Sequence, residues 1–583
     1  MGWIIGLIIL GGFIWFLVWA NKSAKTLLAE NRQKTYERAA AASDTFGNAH
    51  FATFDEMRNA ELLTEKGMTL GGGFNIINQP DPSFNRDWLL SYTGEQHLIT
   101  ISSPRTGKFT TAIAPALLTY PASMIVIDPK GQAAAVTAPQ RERMGHKVYF
   151  LNPFKLHDLP DSGFNPLALL NPESLNFAAD VAALTDAIII PSGGGDSHWT
   201  DSASALVEAL IMWVCIAYAE PSLPVVRTLL SLPPTDFQKE MKKVAEHPFF
   251  PMAQKAARFA SDDFRDNQGI ISTALTQTAL LGEPATAQSL SLHSFDWSEL
   301  KTGQATVYLI LPAQYINSHS RWFRLLITSA ISRLSTAEKG AYPVLFLLDE
   351  FTQLGKLSAV FNALNLSAGY GIQFWLIFQS LAVLESVYAR GYEAVLATAG
   401  IIQLFRINDA MTADYFSKRT GTYTKKLSNY SVGEISRQQA EGGFTGISTS
   451  LSETAVPLLS PQKLYGWPAD KGLLFANGLE YPVEYWRKPY YDRPELAALA
   501  APDPYHLPNL LDPPTAENIT TEIEKETIEE TTPEPEPEPI PQKSLGEKLA
   551  DSWVVKKVTP VAVAAYSVAK KKVLEKMGNK TGQ

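Results

Sequence analysis

The sequence predicts an α/β fold: a buried parallel sheet, an all-α domain inserted into it, and one apolar helix ahead of both. Three observations predict it. Short, almost continuous apolar runs alternate with helical stretches and end in polar residues. That pattern fades between residues 165 and 299. The first twenty residues carry no charge and are followed at once by cations.

The sheet rests on six runs. His97–Ile101 is an apolar strand, and Met124–Ile127 is another that ends in Asp128. Ala305–Ile310 follows. Val344–Leu348 ends in Asp349, Ile372–Phe378 in Gln379, and Ile401–Ile407 in Asn408 and Asp409. Strands that are apolar on both faces belong to a parallel sheet covered on both sides. Ligands of such sheets sit beyond the carboxyl ends of the strands, so these polar endings mark where a site is expected. Between 165 and 299 the reading is helical, clearest over His198–Glu220. Residues 88–164 and 300–511 then form the α/β domain and 165–299 the all-α insertion. Gly71-Gly72-Gly73 reads as a turn within a polar juxtamembrane stalk, 21–87.

Gly2–Ala20 is long enough to cross a bilayer as a helix, with Trp3 and Trp19 at its two ends. Lys22, Lys25, Arg32, Lys34 and Arg38 follow, which by the positive-inside rule keeps the bulk of the chain cytoplasmic. A cleaved signal peptide fits less well, because there is no basic n-region and Val18-Trp19-Ala20 is a poor cleavage site. The expected location is therefore the bacterial inner membrane, in a single pass, with residues 1–20 as anchor. A lone cysteine, Cys215, excludes an intramolecular disulfide. The formal charge of −9 argues against a wholly basic nucleic-acid-binding surface but allows a local basic groove. No His or Cys pair has zinc-ligand spacing. Residues 512–543, with Glu-Pro repeats at Pro533–Pro539, read as a disordered acidic linker. Residues 544–583 regain apolar residues and carry Lys556, Lys557, Lys570, Lys571 and Lys572, as a basic helix would. It reads as a partner-binding element, with an anionic lipid surface or a solvated tail as alternatives.

Ser102-Ser103-Pro104-Arg105-Thr106-Gly107-Lys108-Phe109-Thr110 follows a strand and precedes a helical stretch. In that context backbone N–H groups and a helix start can cradle phosphates, with Lys108 reaching the β- and γ-phosphates. Two positions depart from the strict pattern. Ser102 stands where the first Gly belongs, and Phe109 where a Ser or Thr would hold Mg²⁺. Taken alone, this is equally a chance strand–turn–helix. A second element, Val344–Leu348 running into Asp349-Glu350, supplies paired carboxylates. In phosphate-loop enzymes the Asp holds the Mg²⁺ shell and the Glu polarises the attacking water. An acidic helix cap is the structural alternative.

The chain from Trp88 to Asp492 resembles the TraG/TraD family of type IV secretion coupling proteins. The resemblance is carried by Ser103–Lys108, Ile127-Asp128-Pro129-Lys130-Gly131-Gln132, Phe164-Asn165-Pro166-Leu167 and Thr306–Pro312. Leu348-Asp349-Glu350-Phe351, Phe378-Gln379-Ser380, Asn408-Asp409 and Pro457-Leu458-Leu459-Ser460 continue it in the family's order. It implies a RecA-like P-loop NTPase domain in a ring-shaped homo-hexamer, with ATP and Mg²⁺ as cofactors. It also implies single-stranded DNA with a bound relaxase as cargo and type IV secretion channel proteins as partners. Lys108, Asp349, Glu350 and Gln379 are the expected catalytic set, Gln379 sensing the γ-phosphate. Ser103, Pro104, Arg105, Thr106, Gly107, Lys108, Phe109 and Thr110 would bind nucleotide, and Asp349 with Thr110 the metal. Thr110 reads equally as a helix-start hydroxyl.

One departure bears on rate. Many members carry an Arg before the Tyr-Gly that here is Tyr370-Gly371, a candidate finger reaching a neighbouring subunit, whereas this chain has Ala368 and Gly369. Either another Arg, such as Arg321, Arg324 or Arg406, does this work, or turnover is slow. Asp128 and Lys130 read as either a nucleotide-coupled pair or a structural ion pair, and Trp199 as a core residue rather than a base-stacking platform. The alternatives to a DNA motor are the same motor with protein effectors as cargo, and a membrane docking scaffold that does not hydrolyse ATP.

Overall fold

The computed structural model describes residues 44–64, 67–74, 88–190, 198–260, 265–366, 369–432 and 447–505, with scattered helical positions between 10 and 22. By compactness the chain divides into Met1–Leu507 and Pro508–Gln583, and the second unit lies outside the described residues. So do the linker and basic helix expected over 512–583, most of the anchor over 1–20 and the stalk over 23–43.

The strands are Met68–Phe74 (β1), Trp88–Tyr92 (β2), His97–Ile101 (β3), Met124–Asp128 (β4), Lys147–Leu151 (β5), Ala305–Ile310 (β6) and Val344–Leu348 (β7). Ile372–Phe378 (β8), Ala399–Leu404 (β9), Thr422–Val432 (β10), Ile447–Pro457 (β11), Lys471–Ala476 (β12) and Val483–Trp486 (β13) complete them. Eleven form one sheet in the order β2-β1-β13-β12-β9-β3-β8-β7-β4-β6-β5. From β9 to β5 every neighbouring pair is parallel. Alternate residues serve opposite faces: Ile99 and Ile101 join the larger apolar core and Leu98 the other. Burial on both faces is what the continuous apolar runs encode.

Five of the six expected strands match within a residue. The sixth runs Ala399–Leu404 rather than Ile401–Ile407; Phe405, next in the chain, still donates its N–H to Ile101 O at 2.9 Å and lies under Arg487, 3.7 Å from ring centroid to guanidinium carbon. Two expectations are corrected on the antiparallel side. Gly71-Gly72-Gly73 is not a turn but lies inside β1, where the register shifts between Thr69 and Gly73, as glycine permits in a bulged strand. Residues 44–64 and 67–74, assigned to a polar stalk, instead join the α/β unit, since Met57, Leu62, Met68 and Leu70 are buried in its core. β10 and β11 form a separate two-stranded ribbon that the sequence patterning did not reveal.

Between β5 and β6 the described residues form helices and no strand. His198–Ala217 is the longest, and it is apolar enough to pass for a membrane span. It packs instead against the helices Phe177–Ile188, Phe250–Ala256 and Arg265–Gln277, and its buried face includes Leu206, Val207, Leu210 and Ile211.

Candidate functional site: a phosphate loop facing paired carboxylates

Register brings the polar strand ends together. Ile101 pairs with Phe378 and Ile127 with Leu348. The ends of β3, β8, β7 and β4 therefore present, side by side, the loop from Ser102, then Gln379, Asp349 and Asp128. This is the carboxyl edge, where the parallel strands open.

Polar groups within the loop from 102 to 108 bond one another. The hydroxyls of Ser102 and Thr106 bond each other, and Thr106 Oγ1 donates to Ser103 O at 2.9 Å. Arg105 (φ 59°) and Gly107 (φ 78°) are left-handed, a conformation that costs little only for glycine. The helix after the loop opens with a π turn over Phe109–Ile113 before continuing as Ala114–Thr119. Both Thr110 Oγ1 and Thr111 Oγ1 donate back to Gly107 O, at 3.2 and 2.8 Å. Phe109 turns away and meets the Tyr490 ring edge-on at 6.3 Å. The residue in the usual metal-binding position is thus a packing residue.

Lys108 Nζ lies 2.6 Å from Asp349 Oδ1 and 2.6 Å from Glu350 Oε1. Burial works against its charge, but the two carboxylates outweigh this and hold the ammonium above the ordinary lysine range. Asp349 is pushed up by burial, with Glu350 beside it adding to the effect and Lys108 opposing. Glu350 has a left-handed backbone (φ 55°), and its N–H donates to Asp349 Oδ1 at 3.0 Å. Its carboxylate also accepts from Gln353 Nε2 at 3.1 Å and Gln379 Nε2 at 3.3 Å. Two carboxylates and two side-chain amides are thereby gathered around the Lys108 ammonium of the loop.

The structure brings together Lys108, Asp349, Glu350 and Gln379, with Ser103, Thr106, Gly107 and Thr110 in the loop beside them. Pro104 and Arg105 are exposed on its outer bend. Three other expectations change. Asp128 does not pair with the Lys130 side chain. Its carboxylate accepts the backbone N–H groups of Lys130 (3.3 Å) and Ala134 (2.8 Å). Trp199 is not a core residue, being 41% exposed with its ring over Gly269. Of the three arginines offered for a finger, two point inward: Arg321 donates to Ile188 O and Gln277, and Arg324 to Leu354 O and Lys356 O. Arg406 is exposed, its carbonyl accepting from Ser103 N at 3.3 Å. Ala368 lies outside the described residues. Sequence reasoning missed Arg487, which lies behind the loop. Its partners are far off in the chain and mostly backbone carbonyls, so no local pattern announces it.

Burial pushes the Asp128 carboxyl up to about 6, the two backbone donors opposing and the charge of Asp349 adding to it. Its folded value lies above the unfolded one of about 4. The stability it contributes is therefore complete below that unfolded value and is lost as pH rises through about 6. Denaturant unfolding of wild type and Asp128→Asn between pH 4 and 7 should show the wild type losing stability relative to the variant by up to roughly 3 kcal/mol. A pH-independent difference would contradict this assignment.

A family model described as type IV secretory system conjugative DNA transfer matches residues 50–526. Protein VirD4 of Agrobacterium fabrum is 28% identical over 434 residues, covering 72% of this chain and 62% of VirD4. Conjugal transfer protein TraG of Escherichia coli is 27% identical over 482 residues, covering 76% of this chain and 74% of TraG. The match with VirD4 of Rhizobium rhizogenes, 28% identical, spans 72% of this chain and 61% of that protein, so the chain spans about three fifths of the length of these two VirD4 relatives. Among solved structures, the plasmid coupling protein TrwB in complex with ADP and Mg²⁺ superposes with a TM-score of 0.54 at 13% identity, over 77% of this chain and 95% of TrwB. An unbound form of TrwB gives 0.53 at 14% identity, over 76% and 93%. These likenesses show the shared RecA-like α/β fold with its large parallel sheet.

Proposed function

Because the chain belongs to the type IV secretory system conjugative DNA transfer family, we propose that it is a membrane-anchored ATPase that recruits a relaxase–DNA substrate and drives it into a type IV secretion channel. The observation that carries this reading is the convergence of Lys108 on Asp349 and Glu350, opposite a phosphate loop at the carboxyl edge of the sheet. The proposed catalytic set is Lys108, Asp349, Glu350 and Gln379.

The donor set fits a magnesium nucleotide. The left-handed Gly107 leaves the loop backbone open to phosphate, since a Cβ there would meet nothing nearer than Thr110 Oγ1 at 3.4 Å. Asp349 offers the hard oxygen that Mg²⁺ prefers. No group of three or more metal-binding side chains occurs among the described residues, which suits an ion that keeps several waters and shares the substrate's phosphates. When bound, Mg²⁺ supplies charge neutralisation between the β- and γ-phosphates. This chain's residues do the rest. Lys108 leaves the carboxylates for the phosphates and so frees them. Glu350, held by Gln353 and Gln379, is then a base for the attacking water. Arg406, exposed beside the loop, is the proposed replacement for the absent finger in a homo-hexameric ring.

Anchoring by residues 1–20 in the inner membrane is proposed on the uncharged segment and the cations after it. The described helical positions there expose Leu10, Phe13, Trp15, Phe16 and Trp19, as a lipid-facing helix would. The proposed domains are the anchor, the α/β unit with its insertion over 165–299, the linker 512–543 and the basic helix 544–583.

The cellular test is DNA transfer to a recipient with Glu350→Gln in place of the wild-type chain. Transfer should fall by about two orders of magnitude or more. Undiminished transfer would favour the docking-scaffold reading, to which the packing role of Phe109 lends its one supporting observation.

A further inference from the structure

The C-terminal end of β13 delivers an arginine into the protein interior behind the phosphate loop. Arg487 is 5% exposed. Its Nη2 donates to Thr106 O at 2.6 Å and to Thr111 Oγ1 at 2.8 Å, and its Nη1 to Ala469 O at 3.0 Å. The guanidinium stacks on Phe405 with its carbon 3.7 Å from the ring centroid. Thr106 opens the left-handed Gly107 turn, and Thr111 donates back to Gly107 O at 2.8 Å. One side chain therefore grips both ends of the turn that positions Lys108. Three residues on, Tyr490 backs the same helix through Phe109.

The choice of a cation here needs an explanation. Burying a charge is costly unless it is paired, and among the described residues no carboxylate lies within ion-pair distance of Arg487; burial outweighs the charge of Asp470, which favours the cation. Its Nε also has no partner. A site needed only for packing would be filled better by an apolar side chain. A loop that receives a polyanion gains from a fixed positive charge at its back, where burial keeps the field unscreened.

We infer that Arg487 is a positioning residue for the phosphate loop, its guanidinium fixing the Thr106–Gly107 turn and supplying positive charge behind the phosphates. This rests on the reading of the loop as a nucleotide site. The antiparallel strands β12 and β13 thereby serve the site as well, because they bring Ala469 and Arg487 to the back of the loop. The loop lacks the first glycine and the following Ser or Thr of the strict pattern, and an external clamp supplies order that its own sequence does not.

The test is ATP affinity of the full-length chain in detergent, by titration calorimetry well below the melting temperature and normalised to the folded fraction. Arg487→Gln should weaken ATP binding about ten- to a hundredfold. Arg487→Lys, which keeps the charge but cannot span three acceptors or stack as well, should recover part of the loss. Thr111→Val, which removes both the acceptor of Arg487 and the donor to Gly107 O without opening a cavity, should weaken binding several-fold. A purely structural role would lower the melting temperature and leave the affinity of the folded fraction unchanged. Wild-type affinity in folded Arg487→Gln and Thr111→Val, beside lost binding in Lys108→Ala, overturns the inference and leaves the nucleotide site standing. Equal binding by wild type and Lys108→Ala overturns both. If Arg487→Gln does not fold, Thr111→Val decides by the same criterion.

Discussion

Lys108→Ala should reduce ATP turnover by about a thousandfold. Two effects of the same sign add. The ammonium that would meet the β- and γ-phosphates is gone. The carboxylates of Asp349 and Glu350, each now 2.6 Å from that ammonium, are left without their cation and repel the incoming phosphates. Breaking a largely buried pair from one side also destabilises the fold, by roughly 3 kcal/mol or more, so turnover must be compared on folded protein. The informative companion is Lys108→Ala with Glu350→Gln. Removing one stranded charge should return part of the lost nucleotide affinity without returning turnover. Calorimetric titration with ATP and a phosphate-release assay read the two quantities separately. Turnover within tenfold of wild type in Lys108→Ala would place the chemistry elsewhere.

Arg141→Ala should lower stability by about 3 to 5 kcal/mol. Arg141 is fully buried. It donates to Ala122 O at 2.6 Å, to Leu117 O at 3.3 Å, to Tyr120 O, and through Nε to Thr306 Oγ1 at 2.9 Å. Leu117 and Tyr120 lie at the carboxyl end of the helix that follows the phosphate loop, where unpaired carbonyls and the negative end of the helix dipole gather. The guanidinium satisfies that end and ties it to β6. Its burial is costly enough to pull Arg141 down to about 10, so the site is retained for its hydrogen bonds. Alanine would strand these acceptors and open a void. Lysine would restore a charge but not the fork, and should recover less than half the loss. Guanidinium unfolding, followed through the transition that includes the sheet, measures this. A loss under about 1 kcal/mol would mean that water replaces the side chain at little cost.

The parallel core and the grouping of Lys108 with Asp349 and Glu350 were legible because their signals are local. An apolar run ending in Asp349-Glu350, and a Gly-Lys after another, can be read within ten residues. Parallel register then brings those ends together without further information. The antiparallel half was not legible. β1 contains three successive glycines, which resemble a turn until a partner strand accommodates the bulge. β12 and β13 are short, and nothing in them marks β9 as the neighbour of β12 or β1 as that of β13. Trp199 has the residue type of a core anchor, yet it lies at the first turn of its helix, where one side remains open. Arg487 shows the limit most clearly, because Thr106 and Thr111 are more than 370 residues away in the chain. What the sequence did suggest at Phe109, that no oxygen is offered there, is matched by the packing of its ring against Tyr490.

The most direct measurement is ATP turnover by the full-length chain in detergent, with and without single-stranded DNA, beside Glu350→Gln as the blank. A DNA-driven motor predicts turnover that rises with single-stranded DNA and disappears in the variant. Turnover no greater than that of Glu350→Gln, with DNA present, would contradict it.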